Sequence, residues 1–206
     1  MKQPVGVILA GGLARRMGGG DKGLHDLAGM PVLSHVIERI APQVAALALN
    51  ANGDPKRFAE FGLPVLPDPL PDHPGPLAGL LAGLDWAAGR GAETLVTVPS
   101  DTPFLPCDLV PRLLLAAEGA ASGVAIAATD GPEGPRPHPV CGLWPVGLRA
   151  PLRVWLAEGK ARVGQWAEER AAAEAVFPAE EPDPFFNLNT PEDLAQARRL
   201  LEAGRE

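Results

Sequence analysis

A chain of 206 residues, 46% of them hydrophobic, is long enough to bury one sizeable core, and a single domain over 1–206 is expected. Its net charge of −7 argues against a general nucleic-acid or anionic-membrane binder, because such surfaces need clustered Lys and Arg. Residues 1–4 lead straight into apolar sequence without a signal-peptide pattern, and no apolar run is long enough to span a bilayer, so a cytoplasmic location is expected.

Val5–Leu9 reads as a continuous buried strand, followed by a glycine-rich loop. Val32–Ile40 has helical spacing, with Val32, Leu33, Val36, Ile37 and Ile40 on one face. Val44–Leu49 is a second strand, Pro55–Phe61 a short helix, and Leu63–Leu66 a third strand. Leu77–Ala88 is helical, Thr94–Val98 is a strand, and Pro106 opens a helix that ends near Gly119. Strands alternating with helices imply right-handed crossovers and an α/β fold with a mostly parallel sheet, three-layered with helices on both faces. Beyond residue 120, Val124–Ala128 and Val140–Trp144 read as strands flanking a Pro/Gly-rich excursion over 131–137, a hairpin-like insertion. Val146–Glu169 reads as two short helices, and Ala173–Phe177 as a strand or a helical continuation of Ala171-Ala172. Thr190-Pro191-Glu192-Asp193 starts the last helix, with a Thr cap, Pro in the first turn and acidic residues against the helix dipole.

The loop after the first strand carries Arg15, Arg16 and Lys22 against Asp21, a local +2 in an acidic chain. Glycine lets backbone N–H groups approach phosphate oxygens, while Arg16 and Lys22 offset phosphate charge. The loop matches neither G-x-x-x-x-G-K-[ST], since Gly23 follows Lys22, nor a G-x-G-x-x-G directly after the strand. Asp101 follows the strand Leu95–Val98 and a Pro99-Ser100 bend, at the edge where open α/β sheets bind ligands. One carboxylate plus substrate phosphates and water can hold Mg²⁺; the competing reading is a cap on the turn into Thr102-Pro103. Asn50 ends the second strand and Asp68 follows the third, so a parallel sheet brings both to that edge. Gly75 and Gly79 flank a helix start, where close approach to a ligand competes with helix packing. Asn187 and Asn189, two apart in an extended segment, share a face. Cys107 and Cys141 lack metal-ligand spacing and read as reduced structural residues in apolar surroundings. The four histidines pair with no nucleophile, His138 lies beside the excursion where a phosphate contact is open, and the four tryptophans read as core.

Leu9-Ala10-Gly11-Gly12, Arg16-Met17-Gly18 and Asp21-Lys22-Gly23 resemble the signature of the molybdenum cofactor guanylyltransferases. The likeness continues through Asn50-Ala51-Asn52, Pro74 to Gly79, Ser100 to Pro103 and Asn187 to Asp193, in order along nearly the whole chain. It implies a Rossmann-like nucleotidyltransferase fold with a nucleotide-binding half over about 1–105 and an acceptor-binding half over about 106–206. It further implies Leu9, Ala10, Gly11, Gly12, Lys22, Asn50, Asp68, Gly75, Gly79 and Asp101 as nucleotide-binding and Asn187 and Asn189 as acceptor-binding. Arg16, Lys22 and Asp101 are the implied catalytic residues, with Mg²⁺ on Asp101.

The implied reaction is attack of the terminal phosphate of molybdopterin on the α-phosphorus of GTP, with loss of pyrophosphate. A phosphate monoester is already largely dianionic at neutral pH, so the missing Ser/His or Cys/His pair is no obstacle. Two alternatives stay open: the cytidylyl branch, whose members tend to carry alanine in place of Gly11, and a GTP-responsive cofactor chaperone without chemistry. Delivery to molybdoenzymes or their chaperones is a further open role.

Overall fold

The computed structural model describes residues 2–11, 21–70 and 75–203. Its strands are β1 (Val5–Leu9), β2 (Asp26–Leu27), β3 (Met30–Pro31), β4 (Leu47–Asn50), β5 (Val65–Leu66), β6 (Thr94–Pro99), β7 (Ala125–Thr129), β8 (Arg136–Pro145) and β9 (Ala173–Phe177). Its α-helices are α1 (Val32–Ile40), α2 (Pro76–Gly89), α3 (Leu109–Glu118), α4 (Arg149–Ala157), α5 (Val163–Glu169) and α6 (Pro191–Ala203). No described helix is long and apolar enough to cross a membrane.

β1 is apolar throughout because it is a central strand covered on both faces. It pairs in parallel with β4 on one side and β6 on the other, ending on Leu9 opposite Asn50 and Pro99. The seven-stranded sheet runs β5-β4-β1-β6-β8-β7-β9, and β8 alone is antiparallel to its neighbours. Successive side chains of β1 take opposite faces. Val5 and Val7 join Leu80 of α2, Trp155 of α4 and Trp166 of α5 in one core layer. Ile8 joins Val36 of α1 and Leu113 of α3 in the other, so helices cover both faces of the sheet in three layers. A smaller cluster seats α6 through Ala197 against Leu27, Val32, Phe104 and Leu188.

Several boundaries differ from the sequence reading. β4 begins at Leu47 instead of Val44, after a 3₁₀ turn over Ala41–Gln43. Pro106 does not open α3: its carbonyl accepts the N–H of Leu109 in an isolated turn, and the helix starts there after Asp108. β8 begins at Arg136, four residues before the expected strand, because the excursion narrows to a turn in which Gly134 N–H donates to the Gly131 carbonyl. Ala173–Phe177 is a strand, parallel to β7; Ala171 adopts φ 47° at the end of α5, which stops helical continuation through the alanine run. The short β2–β3 hairpin was not anticipated.

Trp144 and Trp166 are fully buried and Trp155 nearly so, as core residues. Trp144 Nε1 donates to Thr97 Oγ1, which in turn donates to the Val140 carbonyl, so the buried indole is satisfied. Cys141 is buried, whereas Cys107 is exposed, with Arg39 Nη1 at 3.0 Å from its sulfur; its surroundings are polar, contrary to the sequence reading.

Candidate active site

The carboxyl ends of β1, β4, β5 and β6 meet the first half of β8 around a cleft of about 480 Å³. A parallel sheet leaves ligand-binding loops at this edge, and β8 reaches it from the opposite direction because it is antiparallel.

At the centre stands Lys22. Its Nζ lies 3.1 Å from Asp101 Oδ2 and also donates to Asn189 Oδ1, tying together segments 79 and 167 residues away in the chain. Both charged side chains are less than a fifth exposed, so the pair is shielded from bulk water while still lining the cleft. The backbone of Asp101 is fixed as well, its carbonyl accepting the Leu188 N–H at 2.9 Å. Asn187 and Asn189 do share a face. Leu188 between them is buried in the α6 cluster, Asn187 Oδ1 accepts from Thr102 Oγ1, and Asn189 meets Lys22. A capping box holds this segment: Asp193 Oδ2 accepts the N–H groups of Asn189 and Thr190, and Thr190 Oγ1 accepts that of Asp193.

The wall formed by β4 and β5 is polar. Asn50 Nδ2 donates to Asp68 Oδ1 at 2.8 Å and to the Leu66 carbonyl, and Asn52 Nδ2 donates to Asp68 Oδ2 at 2.7 Å. Asn52 Oδ1 accepts the Asp68 N–H in return. Two amides thus aim one carboxylate into the cleft, leaving its remaining lone pairs as acceptors. Gly11 lines the same cleft, and a Cβ built on it would meet no protein atom within 4 Å. Gly75 also lines it, at φ 135°, a conformation L side chains rarely adopt. Gly79 sits elsewhere: a Cβ there would fall 2.1 Å from Asn50 Oδ1, so this glycine lets α2 press against the asparagine. Leu9 lines the cleft and Ala10 is buried in the core behind it. Gly12 and Arg16 lie outside the described residues.

Arg57 was missed in the sequence. Its Nε donates to Asp21 Oδ2 at 2.5 Å, Nη1 to the Asp54 carbonyl and Nη2 to the Asn52 carbonyl, while the guanidinium lies over the Phe58 ring. It therefore joins the Asn50–Asn52 turn to the residue preceding Lys22. The only local signal was an arginine three residues after the Asp54 cap of a 3₁₀ helix, a common surface pattern.

The opposite wall is mostly apolar: Pro137, Pro139, Val140, Cys141 and Phe185 line the cleft together with His138. Pairing of β7 with β8 jumps from Ile126–Gly142 to Ala127–His138, so Pro139, Val140 and Cys141 bulge out of register toward the cleft. The His138 ring stacks on Phe185 with centroids 4.4 Å apart and planes 19° apart, and His138 Nε2 shares a 2.7 Å hydrogen bond with Thr129 Oγ1. Burial, reinforced by the Arg136 cation and opposed by Asp183, lowers the His138 pKa from 6.5 to about 4. The imidazole is neutral at pH 7. Burial, with the Asp101 charge adding to it, pushes the Cys141 thiol far above its usual range, so that sulfur stays protonated.

Among the described residues no group of three or more His, Cys, Asp or Glu gathers as a metal site. Of the two carboxylates that line the cleft, Asp68 is held by Asn50 and Asn52 on the polar wall, and Asp101 has Oδ2 engaged by Lys22. That donor set suits a hard cation held chiefly by substrate phosphates and water.

The sequence model of the MobA-like NTP transferase domain matches residues 6–173. A molybdenum cofactor guanylyltransferase of Cereibacter sphaeroides is 56% identical over 197 residues, covering 95% of this chain and 96% of that protein. One of Rhodopseudomonas palustris is 52% identical, covering 94% and 92%. Among solved structures, molybdopterin-guanine dinucleotide biosynthesis protein A from Archaeoglobus fulgidus superposes with a TM-score of 0.70 at 22% identity, over 97% of this chain and 99% of that one. A 4-diphosphocytidyl-2C-methyl-D-erythritol synthase from Anaerococcus prevotii does so with a TM-score of 0.74 at 15% identity, over 98% and 96%. The two structures speak to the fold, and the relatives to the family.

Proposed function

We propose, since this chain belongs to the family of MobA-like NTP transferase domains, that it transfers GMP from GTP to the terminal phosphate of molybdopterin. The observation that carries the reading is the Lys22–Asp101–Asn189 contact, which puts a cation in the cleft between Asp101, just beyond β6, and the Asn187–Asn189 segment.

In the reaction, an oxygen of the acceptor phosphate forms a bond to the α-phosphorus of GTP, and the bond from that phosphorus to the bridging oxygen of the β-phosphate breaks. Pyrophosphate carries away the electron pair. The attacking phosphate is largely dianionic at neutral pH, so no side chain has to remove a proton, consistent with a cleft that has a neutral imidazole and a protonated thiol. What the protein supplies is position and charge. Lys22 stabilises negative charge on the triphosphate and on the leaving pyrophosphate, and Arg16 shares that role. Asp68, held by Asn50 and Asn52, accepts hydrogen bonds from the guanine N–H groups. Gly11 keeps space open beside the base, and Asn187 and Asn189 orient the acceptor. Asp101 would hold Mg²⁺, which when bound neutralises charge on the phosphate oxygens.

The test is pyrophosphate release from GTP with Mg²⁺ and molybdopterin, with CTP run in parallel. Release with GTP at a rate well above that with CTP is the expected result. Tight GTP binding without release in the presence of a competent acceptor would favour a chaperone, and preference for CTP would favour the cytidylyl branch.

A further inference from the structure

We infer that the His138–Phe185 stack is the platform on which the planar, uncharged ring of the acceptor rests, so that the acceptor is gripped by its pterin as well as by its phosphate. The inference rests on the transfer reading for the identity of the acceptor.

One face of the imidazole is covered by Phe185, and Nε2 is taken by Thr129. The ring is still partly exposed and lines the cleft, so its remaining surface is offered to the cleft. Phe185 is itself 3% exposed and backed edge-on by Phe177, which makes the platform rigid. Around it, Pro137 and Pro139 carry no N–H, Val140 is apolar and the buried Cys141 thiol is only a weak donor, so this surface offers few hydrogen-bond donors for a phosphate. Such a surface selects a flat ring by stacking and dispersion. A phosphate finds its partners at Lys22 instead, and a neutral His138 does not compete for it.

The platform also lies away from the base-reading wall. In the sheet order, β4 and β8 are separated by β1 and β6, three strand spacings or about 14 Å. That leaves room for a nucleoside on one side and a second ring system on the other, with the phosphates meeting between them. The bulge at Pro139–Cys141 is what turns this stretch of β8 toward the cleft.

The experiment compares His138→Ala and His138→Phe with the unaltered protein in steady-state transfer, varying GTP and molybdopterin separately. It also follows quenching of the fluorescence of a phosphate-free pterin. His138→Ala should raise the acceptor KM by about tenfold or more, the usual cost of losing a stacking partner, with the GTP KM within about twofold. His138→Phe, which keeps a neutral ring, should recover most of that loss, and pterin quenching should follow the same order. An unchanged acceptor KM in His138→Ala would overturn the platform. So would a His138→Phe protein as impaired as His138→Ala, which would point to a polar contact, or a parallel loss of GTP binding. Pterin quenching needs no turnover. Quenching that depends on an aromatic residue at 138 in a protein that releases no pyrophosphate would refute the transfer reading and leave the platform standing.

Discussion

The two walls of the cleft are built on different physics. On the β4–β5 side, Asn50, Asn52 and Asp68 form a closed set of hydrogen bonds that fixes one carboxylate. On the β8 side, an imidazole is held flat on a buried phenyl ring amid prolines. A base edge is distinguished by donors and acceptors in fixed directions, and a network whose amides are already committed to Asp68 supplies those directions. A ring face is bound by area and planarity, which a neutral imidazole backed by Phe185 supplies without a charge to desolvate. In the proposed transfer Lys22, held by Asp101 and Asn189, would meet the phosphates that are common to both substrates.

The strongest way to break this picture is at its centre. Asp101→Ala should lower kcat at least about a hundredfold in the pyrophosphate assay with the melting curve little changed, because the side chain interacts with Lys22 and the cleft while the backbone carries the Leu188 bond. An active Asp101→Ala protein would refute the role assigned to the carboxylate. Asp68→Ala should raise the GTP KM about tenfold and narrow the preference for GTP over ITP, whose base lacks the 2-amino group; an unaltered GTP/ITP ratio would remove Asp68 from base reading. Gly79→Ala tests the polar wall from behind. The new methyl group must displace Asn50, so stability should fall by about 1–3 kcal/mol in denaturant titration and the GTP KM should rise severalfold, although the residue lines no part of the cleft. A stable variant with normal GTP affinity would show that Asn50 has slack.

A further effect, read in stability instead of turnover, concerns the other wall. In the unfolded chain His138 gains its proton as pH falls through 6.5, but in the folded protein only near about 4. The stability this neutral histidine contributes is therefore complete above pH 6.5 and is lost as pH falls toward 4. His138→Phe should flatten that part of the stability curve, and an unchanged slope would mean that Arg136 and burial do not hold the ring neutral.

The strand-end residues were legible in the sequence because a parallel sheet fixes where strand ends go. Leu9, Asn50 and Asp101 follow apolar runs, and the β1 register aligns Leu9 with Asn50 and Pro99. Asn187 and Asn189 were legible through the two-residue period and the Thr190 cap. What escaped depends on contacts that no local pattern encodes. Arg57 reaches Asp21 across 36 positions, Phe185 finds His138 across 47, and the bulge in β8 arises from pairing with β7. In the sequence His138 offers only an open phosphate contact; its stack on Phe185 and its lowered pKa arise from tertiary packing. Gly79 shows a subtler limit. A glycine near a helix start suits both ligand approach and packing, and only the position of Asn50 shows the close packing.

The most direct test of the two-wall account is a single set of steady-state measurements giving KM for GTP and for molybdopterin in the unaltered protein, Asp68→Ala and His138→Ala. Asp68→Ala should raise the GTP value and His138→Ala the acceptor value, each leaving the other within about twofold. Variants that raise both values together, or each the other's, would contradict it.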